Sequence, residues 1–241
     1  ITKDINYEFQ SDKNYLGLSA AMYENLTSSD SDKTRFEYSA PNILFERNLF
    51  TGDKTGVFDI KSNAFVRNFK VNQTTKFWIN DVNWQSNPFV SLNGIQNKFK
   101  GLFKIVNYEA EGAQKYKTEG LNSEVSGVLA YDAKLPMSKK NQDKNKINFF
   151  TPKVSFRYAP GHMRNIQDDD LKLSYSNAFL LNKNAEPDVI EEGESIATGF
   201  EISSYELDDG IPGDKNYSLS LAQIQSFKEN NSIPSRSSLD Q

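Results

Sequence analysis

The chain has 241 residues, a formal net charge of −4 and a pI near 5.2, so its length allows one large domain or two ordinary ones. This mildly acidic balance disfavours a nucleic-acid partner, because proteins that bind nucleic acid usually carry a basic surface. The chain has no cysteine and one histidine, which excludes a disulfide framework, a thiolate metal site and a multi-histidine metal site.

Stretches that alternate apolar with polar residues recur along the whole chain, and turn-type residues separate them. Between Val125 and Met137, for example, Leu129 and Tyr131 fall on the apolar parity and Asp132 falls on the polar one. A β-strand places successive side chains on opposite faces. The period of two therefore predicts strands with one apolar face and one wet face.

The alternating stretches predict about ten strands, over Ile1–Gln10, Asn14–Leu26, Lys33–Phe50, Gly56–Val71, Thr75–Gln85, Phe89–Glu111, Leu121–Met137, Ile147–Tyr158, Ser195–Glu206 and Asn216–Lys228. The segment Ala159–Glu194 is a predicted long connection that contains a short alternating run within Leu171–Leu181. Pro41 interrupts the third stretch, so we expect it at a bulge or a sheet edge. The charged segment Ser138–Lys146 and the Asp- and Gly-rich segment Leu207–Lys215 are predicted turns. Because strand follows strand through mostly short connections, the pattern predicts an antiparallel meander.

The connections also suggest a membrane protein. A transmembrane barrel strand needs only about 9–11 alternating residues, so the mean hydropathy of −0.65 is compatible with a barrel. Successive connections can be placed on alternate sides, and the side with the longest one, Ala159–Glu194, would be extracellular. The fold class predicted is all-β: an antiparallel meander forming part of a large transmembrane β-barrel with long extracellular loops.

Several segments in the second half of the chain resemble the lipopolysaccharide-assembly outer-membrane proteins, the LptD or organic solvent tolerance protein family. The segments are Thr151–Pro160, Asn177–Asn182, Asp188–Gly193, Ala197–Glu201 and Tyr217–Gln223. Their order and spacing carry the resemblance, which is best over residues 147–241 and weaker over 33–137. The family-motif positions, expected to be structural, are Pro152, Arg157, Tyr158, Pro160, Gly193, Gly199 and Gln223; Ala222 replaces a glycine of the family.

The resemblance implies a function in the outer membrane of a Gram-negative bacterium, namely insertion of lipopolysaccharide into the outer leaflet. It also implies an LptE-like plug lipoprotein, periplasmic bridge proteins and membrane lipid as partners. The family's periplasmic jelly-roll domain has no counterpart here, and the chain starts at Ile1 without a signal peptide. We therefore expect residues 1–241 to be a partial outer-membrane β-barrel domain truncated at both ends.

No enzymatic activity, cofactor or resident metal is predicted. His162 has no nucleophile elbow near it, because Gly193-Glu194-Ser195-Ile196-Ala197 lacks the second glycine of the hydrolase pattern. The acidic runs Asp168–Asp170 and Asp208-Asp209 offer oxygen ligands for a divalent cation but lack the spacing of an EF-hand, so solvated loops are expected.

Aromatic and basic side chains offer two further signals. Trp78, Trp84, Tyr108 and Tyr158 fall at or near predicted strand ends, where barrels carry aromatic girdles, although a soluble sandwich core would also use them. The basic side chains considered for attracting lipid phosphate are Lys153, Arg157, Lys172 and Lys183, and no site is assigned to them.

Three other functions remain open. A porin-like passive channel shares the alternation. A secreted carbohydrate-binding β-sandwich would have shorter strands of about 5–6 residues around a central core. An outer-membrane lipid hydrolase would need His162, which exchange to Ala would test.

Overall fold

A computed structural model describes residues 2–24, 36–68, 73–113, 116–117, 120–141, 145–161, 164, 173–184, 186–208, 211–228, 230 and 232. These residues form twelve strands and one short helix. The strands are β1 Thr2–Gln10, β2 Asn14–Glu24, β3 Phe36–Gly52, β4 Gly56–Asn68, β5 Thr74–Gln85, β6 Phe89–Val90, β7 Gln96–Glu111, β8 Asn122–Lys134, β9 Met137–Asn141, β10 Lys146–Ala159, β11 Gly193–Asp208 and β12 Ile211–Ser226, and the helix is α1 Tyr175–Ala178.

The strands form one antiparallel meander sheet in the order β1-β2-β3-β4-β5-β7-β8-β10-β11-β12. The short strand β6 pairs with β7, and β9 pairs with β10. The order begins at β1 and ends at β12, so the sheet is open in the part of the chain that the structure describes. The predicted all-β meander is confirmed, whereas closure into a barrel stays a prediction.

Pro41 lies at a bulge, as its lack of a backbone N–H predicts. The pairing of β3 with β4 skips from Ser39 to Asn42, and the pairing of β2 with β3 shifts between Ser19 and Ala21. The irregularity leaves Pro41 outside the ladder, where a missing donor costs no hydrogen bond.

Two of the longest predicted strands are interrupted by turn residues. Within Phe89–Glu111, Gly94 has a φ of +79° and its amide donates to the Ser91 carbonyl at 2.9 Å, which separates β6 from β7. Within Leu121–Met137, β8 ends before Leu135-Pro136 and β9 begins at Met137. Proline has no donor and ends the ladder, and β9 then extends into the segment that was predicted to be a turn.

The described part of the alternating run Leu171–Leu181 holds the short helix α1, where the backbone N–H of Ser174 donates to the Asn177 side chain at 2.8 Å and begins a helical turn. One other prediction is wrong. The predicted turn Leu207–Lys215 is much shorter, since β11 continues to Asp208 and β12 begins at Ile211.

The chain divides into two compact units, and β7 and β8 contribute residues to both. Unit 1 comprises residues 1–84, 102–127 and 186–188, and unit 2 comprises residues 85–101, 128–185 and 189–241. Unit 1 has an apolar cluster of Phe77, Ile79, Val106, Tyr108, Ala110 and Ala113, against which Phe65 and Tyr116 pack. The buried apolar residues of unit 2 are mostly small or aliphatic: Val128, Ala130, Ala159, Ala178, Val189, Ile190, Ala197 and Leu207.

Gly199 in unit 2 lies where the sheet leaves no room for a side chain. A Cβ there would overlap the Leu221 carbonyl oxygen and come within 3.0 Å of the Phe179 ring. In unit 1, a Cβ at Gly127 would meet its nearest heavy atom, the Leu102 carbonyl oxygen, at an ordinary 3.5 Å.

We therefore expect Gly199→Ala to lower the free energy of unfolding by about 1–3 kcal/mol through overpacking. The matched control, Gly127→Ala, should leave it within about 1 kcal/mol of the wild type. Urea denaturation of the purified protein measures both. Equal effects of the two substitutions would contradict the steric account.

Candidate functional site

In unit 2, burial along β10 is the reverse of that expected for a water-soluble sheet. Phe156 and Tyr158 are 48% and 49% exposed, whereas Ser155 and Arg157 between them are only 4% and 6% exposed. We call the side of Ser155 and Arg157 the covered face and the side of Phe156 and Tyr158 the exposed face. The polar side chains are the ones that the protein hides, which needs a partner for each of them.

The neighbouring strands repeat this arrangement. Register pairs Ser155 with Asp132 of β8 and Arg157 with Ser195 of β11, so these polar residues share the covered face. Leu129, on the opposite parity of β8, is 58% exposed. The apolar face of the sheet in unit 2 therefore carries no protein over it among the described residues.

Unit 1 shows the same reversal with one difference. Trp78 and Phe103 are 56% and 48% exposed, whereas Thr75 and Lys104 are 2% and 3% exposed. The apolar cluster described above, however, includes Phe77, on the same parity of β5 as Thr75. The covered side of unit 1 is thus partly apolar and partly charged.

A covering segment, residues 173–192 apart from 185, supplies the partners of several buried cations. In unit 2, Arg157 Nε donates to the Leu181 carbonyl at 2.6 Å, and its Nη2 donates to the Glu191 carbonyl. Lys100 Nζ donates to the Phe179 carbonyl at 2.9 Å. Both cations lie on strands, so they fix the segment to the sheet through its backbone.

The covering segment also has a buried ion pair of its own. Lys183 Nζ lies 3.1 Å from Glu191 Oε2, and the two side chains are 1% and 7% exposed. Burial lowers the pKa of Lys183 from its ordinary value near 10.5; Glu191 opposes this shift and the Arg157 charge adds to it. Asn182 Nδ2 also donates to the Val189 carbonyl at 2.8 Å, which adds a second contact within the covering segment.

In unit 1, Lys104 performs the same role for residues 186–188. Its Nζ lies 2.6 Å from Asp81 Oδ1 and donates to the Pro187 carbonyl at 2.6 Å. Tyr116 donates to Asp188 Oδ2 at 3.3 Å. A buried lysine with a carboxylate and a carbonyl at hydrogen-bond distance has the partners that offset its loss of water.

Carboxylates on the covered face of unit 2 balance other lysines. Lys100 Nζ lies 2.6 Å from Asp132 Oδ2, and Ser155 Oγ donates to the other oxygen of Asp132 at 2.6 Å. Lys153 Nζ lies 2.7 Å from Glu201 Oε1 and 5.2 Å from the centre of the Tyr175 ring. These contacts build a charged, hydrogen-bonded surface.

The family-motif positions fall into two groups. Arg157 and Gly199 contact the covering segment, through hydrogen bonds and through the tight approach of Phe179 respectively. The others have backbone or surface roles: Pro152 accepts from Leu135 N at 3.1 Å, Tyr158 lies on the exposed face, Pro160 follows β10 and is exposed, Gly193 begins β11 with a φ of +105°, and Gln223 is exposed on β12 opposite Thr198.

The aromatic-girdle prediction is wrong for Tyr108, which is 1% exposed and donates to Glu124 Oε1 at 2.9 Å within unit 1. Trp78 and Tyr158 are exposed, as a girdle requires. Trp84 lies near the end of β5, where its Nε1 donates to the Thr55 carbonyl at 2.8 Å. The signal in the sequence was the parity of Tyr108, which is opposite to that of the apolar residues Phe99 and Phe103 in the same stretch.

Most of the other candidates from the sequence lie outside the described residues. His162, Asp168–Asp170, Lys172 and Asp209 lie outside the described residues, and Asp208 ends β11. Among the residues with described positions, no cluster of three acidic or histidine side chains is arranged to hold a metal. No helix in this part of the chain has the length and apolarity needed to span a membrane.

The sequence prediction missed the residues that anchor the covering segment. Lys100, Lys104, Asp132 and Glu191 are the main ones. The recurrence of lysine at even positions of β7, opposite to the parity of the exposed Phe103, was the signal in the sequence. The partners of Lys100 and Lys104 are distant in sequence, so these pairs were not visible.

Comparison with models of known protein families gave no match, and comparison with curated proteins gave no match either.

Arg157→Met should release the covering segment, because two buried carbonyls lose their donor and each unsatisfied group costs about 1–3 kcal/mol. Hydrogen exchange of residues 177–184 and 189–192 should accelerate by at least about tenfold. Arg157→Lys should give an intermediate rate, because one ammonium cannot reproduce the planar fork. The control is Arg67→Met, which removes an exposed ion pair with Glu37 at 3.3 Å; loss of protection in this variant as well would contradict the anchoring role.

Docking of the covering segment should strengthen as the pH rises from neutral toward 10.5. The lowered pKa means that docked Lys183 binds its proton less tightly than undocked Lys183, so deprotonation favours docking. A spin label on Leu180→Cys, the only cysteine then present in this chain, reports mobility by its EPR line shape. The change with pH should diminish in Lys183→Met, and an unchanged profile in that variant would assign it to other groups.

Proposed function

We propose that this chain is part of the wall of an outer-membrane β-barrel that inserts lipopolysaccharide into the outer leaflet of a Gram-negative bacterium. The observation that supports a membrane role is the reversed burial: Phe103, Leu129 and Phe156 are exposed, while Lys104 and Arg157 are buried. Soluble monomers rarely expose contiguous apolar patches larger than a few hundred Å². A hydrocarbon environment removes the cost of such a face.

The magnitude of the hydrophobic effect favours this reading over a soluble sheet. Withdrawing a large apolar side chain from water contributes about 1.5–3 kcal/mol, and each unit keeps such side chains exposed. In unit 1 they include Trp78 and Phe103, and in unit 2 they include Leu129, Phe150, Phe156, Tyr158, Leu219 and Leu221. Lipid contact would supply that stabilisation without any second protein layer.

The composition of the covered face of unit 2 is compatible with the passage of a polar group. This face is lined by charged and hydroxyl side chains such as Lys100, Asp132, Ser155 and Glu201, which suit the hydrated sugars of an amphiphile. The acyl chains of the same molecule would stay with the lipid on the exposed side. The resemblance of Thr151–Pro160 and the segments after it supports lipopolysaccharide as that amphiphile.

The open edges of the sheet belong to the same proposal. β1 and β12 end the strand order and are exposed along almost their whole length. Unpaired backbone groups are too costly to leave in hydrocarbon. We therefore propose that further strands pair with β1 and β12 and close the barrel, and that residues 1–241 are a partial barrel domain.

The remaining features of the proposal follow from the transport role. Moving a lipid breaks no covalent bond, so no catalytic residue and no cofactor are needed. The proposed partners are lipopolysaccharide, membrane lipid, an LptE-like plug lipoprotein and periplasmic bridge proteins. A secreted sandwich is disfavoured, because all strands of the described residues lie in one sheet rather than two stacked ones.

Photo-crosslinking in living cells tests the proposal on the full-length protein. p-Benzoylphenylalanine at Thr151, on the parity of Ser155, should form an adduct with lipopolysaccharide that disappears when lipopolysaccharide synthesis is stopped. The same probe at Phe156, on the exposed face, should form lipid adducts that persist when lipopolysaccharide synthesis is stopped. Thr151 and Phe156 lie on the same strand, β10, and differ in the face on which their side chains lie.

A porin-like channel would give a different result. It would show lipid adducts at Phe156 but no synthesis-dependent adduct at Thr151, and the purified protein would conduct ions without a plug. Absence of lipid adducts at Phe156 would contradict the membrane role itself.

A further inference from the structure

Four lysines surround one cavity in unit 2. The cavity has a volume of about 320 Å³, and its charged lining consists of Lys98, Lys100, Lys134, Lys153 and Asp132. Its polar neutral lining includes Gln96. Ligand sites in proteins occupy about 300–1,000 Å³, so the cavity accommodates a small molecule of the size of a phosphorylated sugar.

In the described part of the chain, two of the four lysines form close ion pairs with a carboxylate. Lys100 lies 2.6 Å from Asp132, and Lys153 lies 2.7 Å from Glu201, just outside the cavity lining. Lys98 Nζ donates to the neutral amide oxygen of Gln85 at 2.6 Å. Lys134 forms no hydrogen bond or close ion pair within the described part of the chain, but it interacts electrostatically with Glu201. The four lysines therefore share two carboxylates, Asp132 and Glu201, which leaves an excess of two positive charges.

The register of the strands places two of these cations against each other. Lys134 of β8 is directly opposite Lys153 of β10 in the antiparallel ladder. Like charges at directly opposite positions of a sheet are destabilising. A bound anion would remove this repulsion, so the arrangement is more favourable with a ligand than without one.

We propose that this cavity binds a phosphate monoester carried by a sugar-like ligand. Near neutral pH a phosphate monoester carries about two negative charges, which matches the excess of two positive charges among these side chains. Lys98 and Lys134 supply ammonium donors to the phosphate, and Lys100 and Lys153 stay held by Asp132 and Glu201. Gln96 and the Phe179 ring border the remaining space, where a sugar would lie.

The covering segment takes part in this site. Its residue Phe179 borders the cavity, and the carbonyl of the same residue accepts from Lys100 at 2.9 Å. Lys153 lies 5.9 Å from the centre of the Phe179 ring. A docked segment therefore completes the wall of the site, and binding of the phosphate should favour the docked form.

Isothermal titration calorimetry on the full-length protein in detergent tests the proposal with three probes: inorganic phosphate, glucose 6-phosphate and neutral glucose. Wild type should bind glucose 6-phosphate and not glucose. Lys98→Gln/Lys134→Gln removes two charge-assisted donors and should weaken binding of glucose 6-phosphate by at least about tenfold. Lys134→Arg keeps the charge and should retain binding.

The matched control is Lys139→Gln/Lys140→Gln, which removes two exposed lysines from β9, away from the cavity lining. It should bind glucose 6-phosphate as wild type does. Thermal unfolding shows whether both double variants keep the stability of the wild type. If Lys98→Gln/Lys134→Gln unfolds at a lower temperature, Lys134→Glu alone serves instead, and its reversed charge should abolish binding.

The outcomes separate the possible sources of the phosphate. Tighter binding of glucose 6-phosphate than of inorganic phosphate supports a phosphorylated sugar, and equal binding restricts the recognised group to phosphate itself. Equal losses in the two double variants, or no binding of either anion, would overturn the site. The proposal does not rest on lipopolysaccharide transport. Calorimetry can detect binding of glucose 6-phosphate even if the probe at Thr151 forms no adduct with lipopolysaccharide, and the adduct can form even if calorimetry detects no binding.

Discussion

Strand register is the constraint on which the rest of this structure depends. Because side chains alternate, a slip of one residue would exchange the two faces of every strand it affects. Arg157 would then move to the side of Phe156, and its hydrogen bonds to Leu181 and Glu191 would be lost. The bulge at Pro41 and the register shift after Ser204 therefore matter, since they absorb irregularities without inverting the strands beyond them.

Charge pairing follows from that register. The covered face hides lysine and arginine, and the cost of removing them from water is large unless each has partners. The ion pairs are Asp81 with Lys104, Asp132 with Lys100, and Glu191 with Lys183. Backbone carbonyls supply further acceptors, so the segment that excludes water also solvates the cations beneath it. The polar face and the covering segment thus stabilise each other.

Much of the fold could be predicted from the sequence, because alternation and turn residues are local signals. The predicted stretch Thr75–Gln85 differs from β5 by one residue, and the bulge at Pro41 followed from the chemistry of proline. The breaks at Gly94 and Pro136 were missed because the flanking residues continue the alternating pattern. The helix α1 was missed because a single helical turn is too short to show its own period.

The contacts of the candidate site could not be predicted in this way. Arg157 binds carbonyls 24 and 34 residues further along the chain, and any residue offers a carbonyl. Side-chain identity therefore gave no sign of the partner. The same feature has an evolutionary consequence. The hydrogen bonds that hold this segment are accepted by backbone carbonyls, those of Leu181, Glu191, Phe179 and Pro187. Substitutions that leave the path of the backbone intact preserve these bonds, so exposed side chains of this segment are free to diversify while its attachment stays the same.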